Sequence, residues 1–316
     1  MKLSVVVPTY NRLETLQVVL PSLLSQTLPA DEYEIVIADS NSTDGTAEYL
    51  ARTISDVGAA RVRHIAGAFT GRASARNAGI AAARAPLVLF TDADIIASDA
   101  LLELHAEDHG AAGERRVAVV GCELQVKSLE DYRTQRDQPL TRRPLHPATR
   151  TRVSWLYFLT GNASVRRDDL LAVGGFDEAF TGYGHEDLEL GYRLAKAGVE
   201  LRYDARALNY HWHPVGYEEQ KGKMELAGVS TVRFYRKHRD IAVMANLGMT
   251  PVSLAMHSLL NAAGPLRRAL ERAGGSLEAP RKNTWPFIAR QITYQYYYLN
   301  GVKRALRQPD GATKTT

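Results

Sequence analysis

Over the first hundred residues, short apolar runs alternate with amphipathic segments. Leu3–Pro8, Tyr33–Asp39, Arg61–Ile65 and Leu87–Thr91 have the apolar, β-branched character of strands, whereas Leu13–Ser25, Gly45–Arg52 and Ala73–Arg84 repeat apolar positions at helical spacing. The cluster Ser42-Thr43-Asp44-Gly45-Thr46 supplies turn and cap for the second helix. Such alternation predicts βαβ units on a mainly parallel sheet, a Rossmann-like half. Ligands of open α/β sheets bind outside the carboxyl ends of the strands. Those ends carry Thr9-Tyr10-Asn11, Asp39-Ser40-Asn41 and Asp92-Ala93-Asp94, three polar clusters brought to one edge.

Beyond Ala100 the pattern loosens. A helix near Leu101–His109 and a strand near Val117–Val126 precede Ser128–Arg152, whose Arg, Pro and Gln content predicts a mobile loop over the ligand edge. Ser154–Arg166 reads as strand, Thr181–Gly184 as a Gly-rich loop, Glu186–Ala197 as a helix closed by Gly198, and Glu200–Tyr203 and Ala207–Trp212 as two strands. From Val229 the chain reads as helical, interrupted at Gly264-Pro265 and Pro280. The expected division is 1–100 and 101–228 as two halves of one α/β domain, 229–307 as a basic helical extension and 308–316 as a disordered tail.

Charge sharpens that division. Net charge is +4, yet residues 1–232 are net −6 and residues 233–307 net +10. The basic quarter could meet nucleic acid, an anionic membrane or an acidic partner. Nucleic acid is disfavoured, because the part bearing the chemistry is acidic and carries no nucleic-acid motif. The stripe Ile288, Ile292, Tyr296, Leu299, Val302 and Leu306, with cations at its ends, suits a helix lying on a membrane surface and equally one packed on the rest of the protein. Hydrophobic residues at 45% and charged residues at 23% exclude a disordered chain and a multi-span membrane protein. The single cysteine, Cys122, excludes an internal disulfide and a cysteine metal cluster. Leu3 to Val7 falls short of the roughly 7–15 residues of a signal-peptide core, so the expected location is cytoplasmic, at most peripheral on the inner face of a membrane.

The sharpest chemistry is Phe90-Thr91-Asp92-Ala93-Asp94. Two carboxylates one residue apart at a strand end offer hard oxygen ligands for Mg²⁺ or Mn²⁺, which in turn hold phosphates. Alone, so short a motif is more often a solvated turn. Its company changes the odds: Pro8-Thr9-Tyr10-Asn11-Arg12, Asp39-Ser40-Asn41-Ser42-Thr43-Asp44-Gly45-Thr46, Gly71-Arg72-Ala73-Ser74-Ala75-Arg76-Asn77-Ala78-Gly79, Gly174-Gly175-Phe176-Asp177 and Gly184-His185-Glu186-Asp187-Leu188-Glu189-Leu190. In this order, over residues 1–215, the set resembles the glycosyltransferases of the GT-A fold, most closely the large inverting family 2 that uses nucleotide-diphosphate sugars. The resemblance implies an α/β/α sandwich on a mixed sheet with a C-terminal helical extension.

It also implies roles. Donor contacts fall on Pro8, Thr9, Tyr10, Arg12, Asp39, Arg72, Arg76, Asn77, Asp92, Ala93, Gly161 and Asn162. Tyr10 can stack on a base, Asp39 can accept from a ring N–H, and arginines suit phosphate oxygens; the plainer alternatives are a strand-end aromatic, a capping acid and helix-surface cations. Asp94 would bind the metal with Asp92 sharing it, and His211 of His211-Trp212-His213 would complete the set, although a histidine pair at this spacing is by itself more often structural. The family often has an acid at the position of Ser40 and a glycine at that of Asn41, departures that bear on donor identity. Glu186 and Asp187 open a helix whose N-terminal positive end favours ionised carboxylates. Asp187 is the expected base toward an acceptor hydroxyl, Glu186 binds sugar hydroxyls, and Glu189 is a cap or structural salt bridge. Related retaining enzymes often carry an amide at the place of Asp187, so the acid favours inversion.

The expected activity is therefore metal-dependent inverting transfer from a UDP- or GDP-sugar to a hydroxyl of a carbohydrate, lipid-linked or protein acceptor. Competing readings are a retaining enzyme of the same fold, a non-catalytic nucleotide-sugar or glycan binding module, a nucleotidyltransferase, and a membrane or polyanion tether with a vestigial enzyme half.

Overall fold

The computed structural model describes residues 1–137, 149–278 and 280–308. Two compact units emerge: Met1–Ala179 with Glu186–Pro214, and Phe180–His185 with Val215–Thr316.

The first unit is built on one mixed sheet. Strands β1 (Leu3–Thr9), β2 (Tyr33–Asp39), β3 (Val62–Ala66) and β4 (Leu87–Phe90) run parallel, joined by helices α1 (Leu13–Leu24), α2 (Thr46–Val57) and α3 (Arg72–Ala82). β5 (Ile95–Ala97), α4 (Leu101–Ala112), β6 (Val117–Val126), α5 (Leu129–Arg136), β7 (Thr151–Arg152), β8 (Ala163–Arg166), α6 (Arg167–Ala172), α7 (Glu186–Lys196) and β9 (Glu200–Trp212) follow. Strand order is β3-β2-β1-β4-β8-β6-β9-β5, with β7 also on β9. β8 is antiparallel to both β4 and β6, whereas β6 and β9 are parallel. β1 and β2 are buried along their whole length, as strands covered by helices on both faces must be. α3 approaches β1 closely: a Cβ on Gly79 would fall 2.3 Å from a Val6 methyl, so a side chain there would push the helix off the sheet.

The expected α/β sandwich with helical extension is the observed architecture, and three local expectations need correction. Ser128–Arg152 is not simply a loop, since Ser128 caps α5 by accepting from the Asp131 amide at 3.1 Å; residues 138–148 of that segment lie outside the described residues. Ser154–Arg166 is strand only from Ala163, because Trp155–Tyr157 forms a 3-10 turn. The two strands expected between Glu200 and Trp212 are one, interrupted where Gly121 pairs with Asp204 and the next residue, Cys122, with Leu208. That bulge contains Ala205-Arg206, the polar gap that splits the pattern in the sequence.

The second unit contains α8 (Tyr217–His238), α9 (Ile241–Asn246), α10 (Pro251–Ala262), α11 (Gly264–Gly275) and α12 (Trp285–Arg307). The division expected at 228/229 falls inside α8. α8 and α12 cross at backbone contact: added Cβ atoms would lie 2.0 Å from the Tyr298 carbonyl oxygen at Gly228 and 1.9 Å from that of Glu225 at Gly301. Tyr296, Leu299 and Val302 of the α12 stripe are buried, while Ile288, Ile292 and Leu306 are exposed. The middle of that stripe is therefore core of this unit and is not available to a membrane. The tail expected over 308–316 lies outside the described residues from position 309 onward.

Candidate active site

The carboxyl ends of β1 and β2 are stitched together. Asn11 and Asn41 hold left-handed backbone (φ 50° and 57°), where asparagine is tolerated better than most residues. The Asn11 amide donates to Ser42 Oγ at 2.8 Å, the Thr43 amide donates to Asn11 Oδ1 at 2.8 Å, and the Leu13 amide donates to Asp44 Oδ2 at 2.9 Å. This frame leaves Tyr10 60% exposed, a flat aromatic face presented at the sheet edge. Arg12 lines a cavity of about 380 Å³ with Asn11, Glu14, Thr15 and Asp44, and Arg72 is exposed at the first turn of α3. Pro8, Thr9 and Ala93 are buried, and the Thr9 hydroxyl oxygen is among the described buried atoms that lack a protein partner.

Arg76 is the hub of the site. It is 2% exposed, and its guanidinium donates from Nη2 to Asp92 at 2.7 Å and from Nη1 to Glu186 at 3.1 Å. The Phe176 ring lies 5.5 Å from the same group. One buried cation therefore joins the Asp-x-Asp turn to the start of α7, Arg76 itself lying 110 residues before Glu186 in sequence. Glu186 Oε2 and Arg76 Nε are buried without protein partners, polar atoms that a bound ligand or water would satisfy. Asp187, beside them, accepts from the Leu188 amide at 2.7 Å. Burial first, then repulsion by Glu186, pushes its carboxyl up to about 7 against the pull of Arg76. A carboxylate tuned near neutrality suits proton transfer at neutral pH.

Across the turn, Asp94 faces two histidines from β9. His211 Nε2 lies 3.6 Å and His213 Nδ1 3.7 Å from its oxygens, and the two rings stack 5.8 Å apart. Burial would raise the Asp94 carboxyl, but hydrogen bonding and charge from His211, with His213 and Arg12, hold it below its ordinary value. Burial opposes protonation of His211, yet Asp94 and Glu123 push its imidazole up to about 10. Among the described residues, no three His, Cys, Asp or Glu side chains are gathered as a ready-made metal cage. Phosphate-carrying Mg²⁺ and Mn²⁺ sites do not need one, since one or two protein ligands suffice and water and substrate oxygens complete the shell. The Asp94 carboxylate facing His211 Nε2 fits such an ion.

Several of the residues expected to contact the donor make hydrogen bonds inside the protein. Asp39 is 1% exposed, and its carboxylate accepts from the Ser42 amide and hydroxyl and faces His64 Nε2 at 3.2 Å, so it organises the β2 loop. Asn77 grips the glycine turn, donating to the Phe176 carbonyl at 2.9 Å and accepting from the Phe176 amide at 2.8 Å. Asn162 is 3% exposed; its amide donates to the Cys122 and Ala207 carbonyls and its oxygen faces His105. Arg76 pairs with carboxylates where phosphate was expected, and one oxygen of Asp92, expected at the metal, is held by Arg76. Gly161 makes room for a neighbour, since a Cβ there would meet Glu123 Oε2 at 2.3 Å. Glu189 makes a structural salt bridge, accepting from Arg193 at 2.7–3.0 Å. Glu123 escaped the sequence reading, although the signal is visible: Glu123 and Gln125 are polar at alternate positions of an otherwise apolar strand.

A sheet whose first four strands run parallel, an Asp-x-Asp turn at the end of the fourth and a carboxylate pair opening a helix across from it make up the GT-A fold. The chain belongs to glycosyl transferase family 2, whose profile it matches over residues 4–174, and residues 146–213 match the N-terminal domain of galactosyltransferase. Validoxylamine A glucosyltransferase of Streptomyces hygroscopicus subsp. jinggangensis is 34% identical over 270 residues, covering 76% of this chain and 61% of that protein. A chondroitin synthase of Escherichia coli is 27% identical, covering 86% of this chain and 44% of that protein. The chain thus spans under two thirds of the length of these relatives. Among solved structures, the mannosyltransferase PcManGT from Pyrobaculum calidifontis, in complex with GDP-Man and Mn²⁺, aligns with TM-score 0.65 at 22% identity, over 97% of this chain and 87% of that one. Residues 1–349 of S. aureus TarS in complex with UDP align with TM-score 0.57 at 17% identity, over 97% and 92%. These structures share the fold.

Proposed function

We propose that this protein is a metal-dependent, inverting glycosyltransferase that moves a sugar from a nucleotide diphosphate to an acceptor hydroxyl, with Asp187 as general base. The observation that carries the reading is the Asp92–Arg76–Glu186 bridge, which sets the base candidate Asp187, its carboxyl at about 7, beside the turn that would hold the donor. Tyr10 covers the nucleoside, and Arg12 and Arg72 meet diphosphate oxygens. Asp94 and His211 would hold Mn²⁺ or Mg²⁺, which when bound would supply positive charge to stabilise the leaving nucleoside diphosphate. Glu186 presents its unpartnered oxygen to a sugar hydroxyl. Asp187 takes the proton of the acceptor hydroxyl as it attacks the anomeric carbon from the face opposite the diphosphate, inverting its configuration.

The solved neighbours bind UDP and GDP-Man, and the 34% identical relative is a glucosyltransferase, which makes UDP-glucose the first donor to test. Asp187→Asn should abolish transfer while UDP still raises the thermal midpoint; unchanged transfer removes Asp187 as the base. Retained configuration in the product would select the retaining alternative. Release of pyrophosphate would select a nucleotidyltransferase.

The basic extension supports cytoplasmic residence with peripheral contact to an anionic bilayer, through a surface other than the α12 stripe. Ile241–Ala262 contains no charged residue and has a mean hydropathy of 1.2. It is broken between α9 and α10 at Gly248 (φ 72°) and Pro251, so the 12-residue α10, about 18 Å long, is too short to span. Val252, Met256 and Leu259 form an exposed apolar stripe along it. Arg236, Lys237 and Arg239 precede it and Arg267, Arg268 and Arg272 follow, cations that attract anionic lipid and would repel a second copy. Cosedimentation with phosphatidylglycerol/phosphatidylcholine vesicles that Met256→Glu abolishes is the expected result; equal recovery of both proteins in the supernatant refutes it.

A further inference from the structure

We infer that Glu123 is a positioning residue that fixes His211 for metal binding, an extension of the metal reading above. Glu123 lies on β6, opposite β9 in the parallel pair, and its Oε1 sits 3.0 Å from His211 Nδ1. Gln125 Nε2, two residues along on the same face, donates to that Oε1 at 2.9 Å and holds the carboxylate in place. Gln125 Nε2 also lies 3.2 Å from His211 Nδ1, but as an amide donor it would favour a bare Nδ1, the wrong tautomer for a metal at Nε2. A carboxylate at Nδ1 settles the contest. It accepts the Nδ1 proton, so that Nε2, 3.6 Å from Asp94, is the nitrogen that would be given to a cation shared with that carboxylate.

Two further features make this an arranged contact. Gly161 leaves the space that the Glu123 carboxylate fills, since a Cβ there would come within 2.3 Å of Oε2. The Gly161 carbonyl in turn accepts from Asn209 Nδ2 at 2.7 Å, and Asn209 lies two residues before His211 on β9. Gly161 is thereby tied to β9 beside the Glu123–His211 contact. Glu123 remains partly exposed, its side chain 26% accessible, so removing it does not open the core.

Mn²⁺ titrated calorimetrically into the full chain, alone and with UDP present, tests the assignment. Partners of this kind change metal affinity roughly 10–100-fold when removed. Glu123→Ala should weaken Mn²⁺ binding by that factor, Glu123→Gln by less because its amide oxygen still accepts, and both should keep the thermal midpoint of the unmutated chain. In the Mg²⁺-loaded protein, nitrogen-15 shifts of His211 should report Nδ1–H in the unmutated chain and move away from it in Glu123→Ala. Equal Mn²⁺ affinity in Glu123→Ala and the unmutated chain overturns the role of Glu123 while leaving the metal site standing. No Mn²⁺ binding by the unmutated chain in either condition overturns the metal reading and this inference with it.

Discussion

Replacing Arg76 with methionine isolates the feature on which the site depends. Its guanidinium is 2% exposed, touches Asp92 at 2.7 Å and Glu186 at 3.1 Å, and sits 5.5 Å from the Phe176 ring. Methionine fills most of the volume but strands Glu186, itself 5% exposed, as a buried acid without its cation. Breaking a buried pair from one side costs about 3–5 kcal/mol. Loss of the cation–π contact adds a further ~1 kcal/mol. At roughly 2–4 °C per kcal/mol for a unit of this size, the thermal midpoint should fall by roughly 8–24 °C at pH 7.5. In activity, Asp187 loses the largest of the influences that pull its carboxyl down, so the rising limb of the pH–rate profile should move above its starting point near 7. Calorimetric scans across pH, with nucleotide-sugar turnover on the same samples, provide the measurement. A midpoint within 2 °C of the unmutated protein at pH 7.5, with an unshifted pH–rate profile, would refute the bridge. Arg76→Lys, which keeps one charge but cannot fork, should fall between.

Three other outcomes follow from the same geometry. Because Asp187 titrates at about 7 when folded against 3.8 ordinarily, the folded state holds a proton that the unfolded state releases between those values, and stability declines as pH rises through that window; Asp187→Asn should therefore be the more stable protein at pH 8, by a few kcal/mol at most, and lose that advantage by pH 4 in thermal scans. His105 is buried neutral, its imidazole lowered by burial to about 4 from 6.5, so unfolding takes up a proton below pH 6.5 and stability falls as pH drops from 6.5 toward 4; His105→Gln should flatten that slope in urea titrations, and an unchanged slope would remove His105 as its source. Gly301→Ala places a Cβ 1.9 Å from the Glu225 carbonyl oxygen, so α8 and α12 must separate, costing about 1–3 kcal/mol by denaturant titration, and a neutral result would refute that close crossing.

Local pattern made the first half of the fold legible. The strands β1 to β4 and the helices between them declare themselves because each is a continuous apolar or helical-period run ended by its own turn residues, and side chains facing a nearby core need no distant information. The second half resisted. Ser154–Arg166 contains enough aromatics to read as strand, yet Trp155–Tyr157 turns instead, and β9 hides its continuity behind a bulge that only its pairing with β6 explains.

The residues of the site divide along the same line. Which chemistry stands at the strand ends and at the start of α7 was written in the sequence, in Tyr10, Asp92, Asp94, Glu186, Asp187 and His211, because motifs of carboxylate and imidazole are local. What each of these side chains faces was decided by tertiary structure alone. Arg76 meets two acids, Asn77 and Asn162 bond to backbone, Asp39 turns to Ser42 and His64, and Glu123 backs His211. Hydrogen-bond partners lying tens of residues away are chosen by distance and direction after the sheet has closed, and a one-dimensional pattern carries neither.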